Sequence, residues 1–240
     1  MNAIETKKLT KIYEGETAVD GLDLTVRQGE LLALLGVNGA GKSTTIRMLT
    51  CITEPTSGTA SVMGYDVVRE RGKVKSCVSV SPQETAVAGN LTVEENLNLM
   101  CAISGKDRSE VEKVMKELEL DKVRGKQAKK LSGGWQRRLS IGMSLVQQPQ
   151  VLFLDEPTLG LDVIARRELW QVINGLKGRV TVVLTTHYME EAQSLADRIA
   201  IMAEGRLRIT GAAEEIITAS SKSNFEDAFV YFATGGGEGA

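Results

Sequence analysis

The chain has 240 residues, 42% hydrophobic and 25% charged, the balance of a soluble globular protein with one good core, room for an inserted subdomain and no need of covalent staples. Lys and Arg total 29 against 31 Asp and Glu, and the resulting net charge of -2 argues against a polyanion-coating protein held by bulk electrostatics. No apolar run approaches the roughly 18 residues that span a bilayer, and MNAIETKKLT is not a signal peptide, so any membrane role is expected to be played from outside the lipid.

In chain order, AIETKKLTKIY, AVDGLDLTV and ELLALLG are strand-like and are separated by turns at Gly15, Gly21 and Gly29, which predicts antiparallel strands leading into a buried one. A glycine-rich loop follows. Thr45, Met48, Leu49 and Ile52 then fall at i, i+3, i+4 and i+7 and predict a helix that runs to the EPTSG turn. SCVSVS at 76–81 reads as another strand. Beyond it the pattern turns helical: Thr92 and Glu95 form a capping box, Val111, Val114, Met115 and Leu118 stripe a second helix, and Trp135, Leu139, Met143 and Val146 stripe a third. A helical subdomain is therefore expected at 84–148. From Val151, VLFLD, VTVVLTT and RIAIM are short, nearly all-apolar strands between helical segments, as in a parallel sheet buried on both faces. Residues 206–233 add a strand and two amphipathic pieces, and 234–240 read as a flexible tail. The fold class is α/β: a core at 1–83 and 149–233 with an N-terminal antiparallel β part, interrupted by the helical insertion. Cys51, Cys77 and Cys101 are odd in number and widely spaced, so they are expected to be reduced, buried, small apolar residues of a cytosolic protein.

The strongest chemical signal is Gly36-Val37-Asn38-Gly39-Ala40-Gly41-Lys42-Ser43-Thr44, a GxxxxGK[ST] loop after an apolar strand and before a helix. Glycines let the backbone wrap phosphate oxygens, helix-start N–H groups point at the anion, Lys42 brings positive charge to the β/γ region, and Ser43 offers an oxygen to Mg²⁺. The second part of such a metal site is a carboxylate at a buried strand end. VLFLDEP supplies Asp155 there for Mg²⁺, with Glu156 beside it to orient or deprotonate the attacking water; the plainer alternative is an exposed acidic turn.

A further anomaly is LSGGWQRRLS at 131–140. Ser132 is expected to cap a helix whose exposed face carries Gln136, Arg137 and Arg138, yet Gly133 and Gly134 occupy its first turn at roughly 1 kcal/mol each against alanine. A bare helix N-terminus favours an anion, but the dipole alone contributes only about 0.3–1 kcal/mol, so this end suits a site completed from elsewhere. With the upstream P-loop, the LFLDE strand and a single later histidine, LSGG resembles the ATP-binding subunits of ABC transporters over residues 3–211.

That resemblance implies a P-loop NTPase core of the RecA-like kind, with ATP and Mg²⁺ as cofactors. It also implies that two such subunits, identical or different, pack head to tail, so that Ser132, Gly133 and Gly134 of one close over the γ-phosphate held by the other. Gln83 in SPQET matches the Q-loop that touches Mg²⁺ and water and passes motion to the membrane partner; alone it would be an ordinary loop residue. Asp162 in LGLD matches the D-loop at the dimer seam, or is only the N-cap of the next helix. His187 matches the H-loop that contacts the γ-phosphate, and Tyr13 the aromatic that stacks on adenine, although each could be structural. Trp135 departs from the glutamine common after LSGG and could instead pack within the helical subdomain; Val37 replaces a frequent proline. Lys122, Arg124, Lys126, Lys129 and Lys130 form a basic stretch read as solvated surface rather than a lipid or nucleic-acid contact.

Softer features, SPQETAVAGNLTVEEN and NFEDAFVYFAT, resemble the drug-resistance and sodium-export branch. The implied function is ATP-driven dimerisation that reshapes a multi-spanning membrane permease on another polypeptide, followed by hydrolysis that resets it, at the inner face of the cell membrane. No nucleic acid is expected as partner. A soluble ABC ATPase of translation or DNA handling is the competing class, but the chain shows neither tandem cassettes nor sustained heptads. A P-loop kinase or GTPase would leave LSGG, Gln83 and His187 without roles.

Overall fold

The computed structural model describes residues 1–236. The N-terminal strands are β1 (Asn2–Tyr13), β2 (Glu16–Leu22), β3 (Thr25–Arg27) and β4 (Leu31–Leu35). β1 pairs antiparallel with β2 and β3. The stretch AVDGLDLTV divides at Asp23 and Leu24, where the Thr6 hydroxyl bridges the gap by donating to Leu22 O at 2.7 Å and accepting the Leu24 amide at 2.8 Å.

Next come α1 (Lys42–Leu49), β5 (Ser57–Val62), β6 (Tyr65–Asp66), α2 (Arg71–Cys77) and β7 (Val78–Ser81). α1 stops short of the expected Ile52. Cys51 takes φ 57°, the amides of Ile52 and Thr53 both return to Arg47 O, and Ile52 is 64% exposed. SCVSVS is strand only from Val78 onward, because Ser76 and Cys77 close α2. Periodicity announces neither β5 nor β6 nor α2. β5 is a strand because it pairs with β1, so closely that a Cβ on Gly58 would stand 2.1 Å from Lys8 O.

Between β7 and the next strand lie α3 (Val93–Ile103), α4 (Ser109–Glu117) and α5 (Gly133–Leu145). The capping box forms: Thr92 Oγ1 accepts the Glu95 amide at 3.2 Å and Glu95 Oε2 accepts the Thr92 amide at 2.7 Å. Val111, Val114, Met115 and Leu118 are all buried, as are Leu139 on α5 and Val146 directly after it, whereas Trp135 and Met143 pack against the same core in part. In the basic stretch, Arg124 pairs with Glu94, Glu112 and Asp121 at the surface. One expectation for α5 is overturned: Arg137 and Arg138 are 5% and 6% exposed rather than on its solvent face, because neighbouring elements pack over them.

The chain then alternates through β8 (Val151–Asp155), α6 (Val163–Asn174), β9 (Thr181–Thr186), α7 (Met189–Leu195) and β10 (Arg198–Ala203), and ends with β11 (Arg206–Gly211), α8 (Ala213–Ser220) and α9 (Phe225–Ala233). The expected tail at 234–240 falls largely outside the described residues. The three cysteines are buried and unbridged.

Two sheets result. The antiparallel one has the order β2-β1-β5-β6 with β3 also on β1; the other runs β11-β10-β4-β9-β8-β7, parallel except for β11. Strand alternation divides the core. Leu31, Ala33 and Leu35 of β4 face the helices with Leu152 and Leu154, while Leu32 and Leu34 face the antiparallel sheet and α1 with Phe153. Burial of each such leucine contributes roughly 1.5–3 kcal/mol. Both faces being covered, the open place left to a ligand is the carboxyl edge, where β4, β7, β8 and β9 end in register: Ser81 beside Leu154, Asp155 beside Thr185, Leu35 beside Thr186.

Gly142 on α5 sits where a Cβ would meet methyls of Leu118, Leu120 and Leu97 at 3.1–3.2 Å. Gly142→Val is expected to lower unfolding free energy by about 1–3 kcal/mol through overpacking, measured by urea denaturation; unchanged stability would show that α5 is free to shift.

Candidate functional site

The loop between β4 and α1 needs its glycines. Gly39 and Gly41 take φ 83° and 97°, and a Cβ on Gly36 or Gly41 would lie 2.4 Å from Met202 O or 2.6 Å from Ala18 O. Gly41 is the N-cap of α1 and contributes no side-chain cap, leaving the first N–H groups of the helix to face a ligand. Lys42 opens the helix and is 5% exposed. Its Nζ donates to Gly36 O at 2.7 Å and Val37 O at 3.1 Å, and stands 4.0 Å from Glu156 Oε1. Burial holds its pKa below the usual lysine range, while the charges of Glu156 and Asp155 work against that shift.

Asp155 and Glu156 follow from the buried strand β8. Asp155 Oδ1 accepts from Ser43 Oγ at 3.2 Å and from the Thr185 hydroxyl. Thr185 Oγ1 also accepts the Glu156 amide at 3.0 Å, so a single hydroxyl on the neighbouring strand holds the Asp155 carboxylate and the Glu156 backbone. Glu156 takes φ 47°, unusual for a side chain with a Cβ, and this turns its carboxylate back over the loop. His187, the residue after β9, brings Nδ1 to 3.1 Å from Glu156 Oε2, close but not aligned as a hydrogen bond.

These groups surround a cleft of about 580 Å³ lined by Asn38, Gly39, Ala40, Gly41, Lys42, Ser43 and Thr44 together with Ala18, Gln83, Glu156, Leu159 and His187. Gly36 and Asp155 support it from behind through their bonds to Lys42 and Ser43. The remaining expected residues are not in its wall. Tyr13 ends β1, 39% exposed, with Lys11 Nζ 4.8 Å above its ring. Ser132 is at the N-cap of α5 with φ -67° and ψ 162°, but its hydroxyl makes no capping bond, contrary to expectation; the helix end is barer than the sequence suggests. Gly133 and Gly134 also admit neighbours, since Cβ atoms there would meet Leu161 Cδ2 at 3.4 Å and Ala165 Cβ at 3.2 Å. Asp162 caps α6 by accepting the amides of Ile164 and Ala165, both at 2.9 Å.

A protein-family profile described as ABC transporter matches residues 19–159, more than half of the chain. The chain belongs to the ABC transporter family. Among its relatives, the daunorubicin/doxorubicin resistance ATP-binding protein DrrA of Streptomyces peucetius is 44% identical over 219 residues, covering 89% of this chain and 66% of DrrA. The probable multidrug ABC transporter ATP-binding protein YbhF of Escherichia coli is 39% identical over 230 residues, 93% of this chain and 39% of YbhF. A solved structure of an ATP binding subunit of an ABC transporter superposes with TM-score 0.84 at 26% identity, covering 96% of this chain and 99% of that one. The chain thus spans two thirds or less of these two sequence relatives, and its P-loop NTPase fold is that of ABC nucleotide-binding domains, which bind ATP or ADP.

Within this ABC domain, sequence reasoning misses Thr185, Ala18, Leu159 and Glu191, and puts the buried Arg137 on a solvent face. Only the LTTH run, two hydroxyls before the histidine, could have drawn attention to Thr185. Glu191 on α7 is 0% exposed and accepts from Trp170 Nε1 at 3.2 Å. Burial raises its pKa, held back by Thr186, Thr158, Trp170 and Arg166. A raised carboxyl pKa favours the folded state below the ordinary glutamate value of about 4.3, and that contribution is lost as pH rises through the shifted one. Glu191→Gln removes the dependence. Its stability relative to the parent should therefore increase as pH rises above the ordinary glutamate value of about 4.3 in urea denaturation, whereas a constant gap would mean that Glu191 is solvated.

Proposed function

We propose that this chain is the ATP-binding and ATP-hydrolysing part of an exporter, driving a membrane permease through nucleotide-dependent pairing of two such domains at the inner face of the cell membrane. One observation carries it: Lys42, Ser43, Asp155, Glu156, Gln83 and His187 converge where adjacent parallel strands end, while the LSGG helix end stays outside that cleft. The names of DrrA and YbhF, which refer to drug resistance and multidrug transport, support export. The division into a core at 1–83 and 149–233 and a helical layer at 84–148 belongs to the same reading.

The N–H groups of Gly39 to Thr44 and the Lys42 ammonium grip the β- and γ-phosphates. Ser43 Oγ, the Asp155 carboxylate and the Gln83 side chain are hard oxygen donors with a single acid among them. That set suits Mg²⁺ shared with phosphate oxygens better than an all-protein cage, and among the described residues no cluster of three or more His, Cys, Asp or Glu competes with it. Bound there, Mg²⁺ neutralises developing phosphate charge. Glu156 orients and deprotonates water, His187 holds the γ-phosphate side of the pocket, and Tyr13 offers an aromatic face to adenine.

The second copy supplies Ser132, Gly133 and Gly134 to the γ-phosphate and Asp162 to the seam. Val163 and Ile164, 63% and 73% exposed directly after Asp162, are apolar side chains suited to cover by that copy. The bare tip adds the dipole and backbone donors that one chain lacks.

Glu156→Gln should bind ATP as the parent does while hydrolysis falls about 10²–10⁴-fold, measured by phosphate release; turnover near the parent's would remove Glu156 from the reaction. Lys42→Ala should weaken ATP binding at least about tenfold, the loss of a charge-assisted contact of roughly 1.5–3 kcal/mol; equal affinity in a titration would contradict the grip assigned to it.

A further inference from the structure

Gln83 stands on a loop with little backbone support of its own. Outside the strand ladders and among the described residues, the only backbone hydrogen bond made by residues 82–87 runs from the Val87 amide to Thr85 O. The carbonyls that open the loop are instead held by one side chain on α5. Arg137 Nη1 donates to Pro82 O and Nη2 donates to Gln83 O, each at 2.6 Å.

This arginine is unusual in its surroundings. It is 5% exposed and, among the described residues, joins no ion pair, whereas its neighbour Arg138 pairs with Glu168 at 2.9 Å and Glu119 at 3.5 Å. Burial lowers its pKa, with only the more distant charges of Asp155 and Glu191 opposing. Burying an uncompensated guanidinium against neutral carbonyls is a poor way to stabilise a helix; an apolar side chain of similar volume would pack there at less cost. What it achieves is geometric, because a planar fork can hold two successive carbonyls at once.

The contact belongs to a seam. Arg137, Ser140 and Ser144 fall at i, i+3 and i+7 and share one face of α5. Ser140 Oγ lies 2.9 Å from Ser81 Oγ, and Ser144 Oγ donates to Val80 O at 3.1 Å. The seam follows the end of β7 into the Gln83 loop and begins one turn after Gly133 and Gly134.

We propose that Arg137 is a positioning residue that makes the Gln83 loop and the LSGG end of α5 move as one body. Wherever α5 stands, Gln83 stands with it over the cleft, so approach of a nucleotide to one copy's LSGG tip is felt at Gln83 of that same copy. The proposal rests on the ATPase reading for its consequence in turnover, but the mechanical link can be tested without turnover.

Two variants test it: Arg137→Met, which keeps length and removes the donors, and Arg137→Lys, which keeps charge without the fork. In the full chain, cleavage by a glutamate-specific protease after Glu84 should speed at least about fivefold in both, with the melting midpoint as control for global unfolding. Affinity for ATP should stay within about threefold, and kcat should fall at least about tenfold in Arg137→Met and less in Arg137→Lys. Added to Gln83→Ala, Arg137→Met should lower kcat no further than the worse single change. Unchanged cleavage at Glu84 in both variants overturns the link, and multiplied losses in the double variant overturn the action through Gln83. Where Arg137→Met does not fold, Arg137→Lys decides both arms. A parent chain that binds ATP without hydrolysing it, alone and with a permease, would sink the ATPase reading, and the protease arm would still decide the link.

Discussion

A lysine ammonium held almost out of water at the end of a parallel sheet is the constraint on which this molecule turns. Lys42 is enclosed by the carbonyls of Gly36 and Val37, with Glu156 4.0 Å away, and its burial disfavours the charged form. A charge so placed calls for a strong anion. The glycines leave room for such an anion, the start of α1 presents backbone donors, and the in-register strand ends bring Asp155 and Glu156 beside it. Thr185 ties the two together: one hydroxyl holds the Asp155 carboxyl, which also accepts from Ser43, and accepts the amide of Glu156 in its left-handed turn.

The cleft so formed is open on one side, and an uncapped helix end in the same chain lies elsewhere. Ser132 makes no cap bond and two glycines keep the first turn of α5 free of side chains. On the reading proposed, these two half-sites meet between copies, and triphosphate is the joint. Binding then acts on position: whatever moves α5 moves the Gln83 loop through Arg137, and the helical layer carries that displacement to a permease.

What could be read from the sequence was local. The phosphate loop, the LFLDE strand end, the Thr92 capping box and the stripes of α4 and α5 are contiguous or fixed by helical spacing, so their residues announce themselves. What escaped reading depends on partners far away in the chain. β5 is a strand because β1 lies beside it, and Ser-Gly-Thr carries no periodicity to say so. Ile52 matched a helical spacing that the Cys51 turn interrupts. Arg137 and Arg138 read as a solvent face, but the Gln83 loop meets the first, and Glu168 of α6, Glu119 and Trp135 meet the second. Thr185 is one more β-branched residue in a buried strand until β8 is placed next to it.

Whether the pocket is shared between copies can be decided by mixing two disabled chains, one carrying Lys42→Ala and the other Ser132→Arg. Each alone lacks a part of every site. A mixed pair regains one complete site, the intact phosphate loop of one chain facing the intact LSGG tip of the other, so the mixture should hydrolyse ATP well above either variant alone. If both parts acted within a single chain, no pair would contain a working site, and a mixture as inactive as its components would contradict the shared pocket.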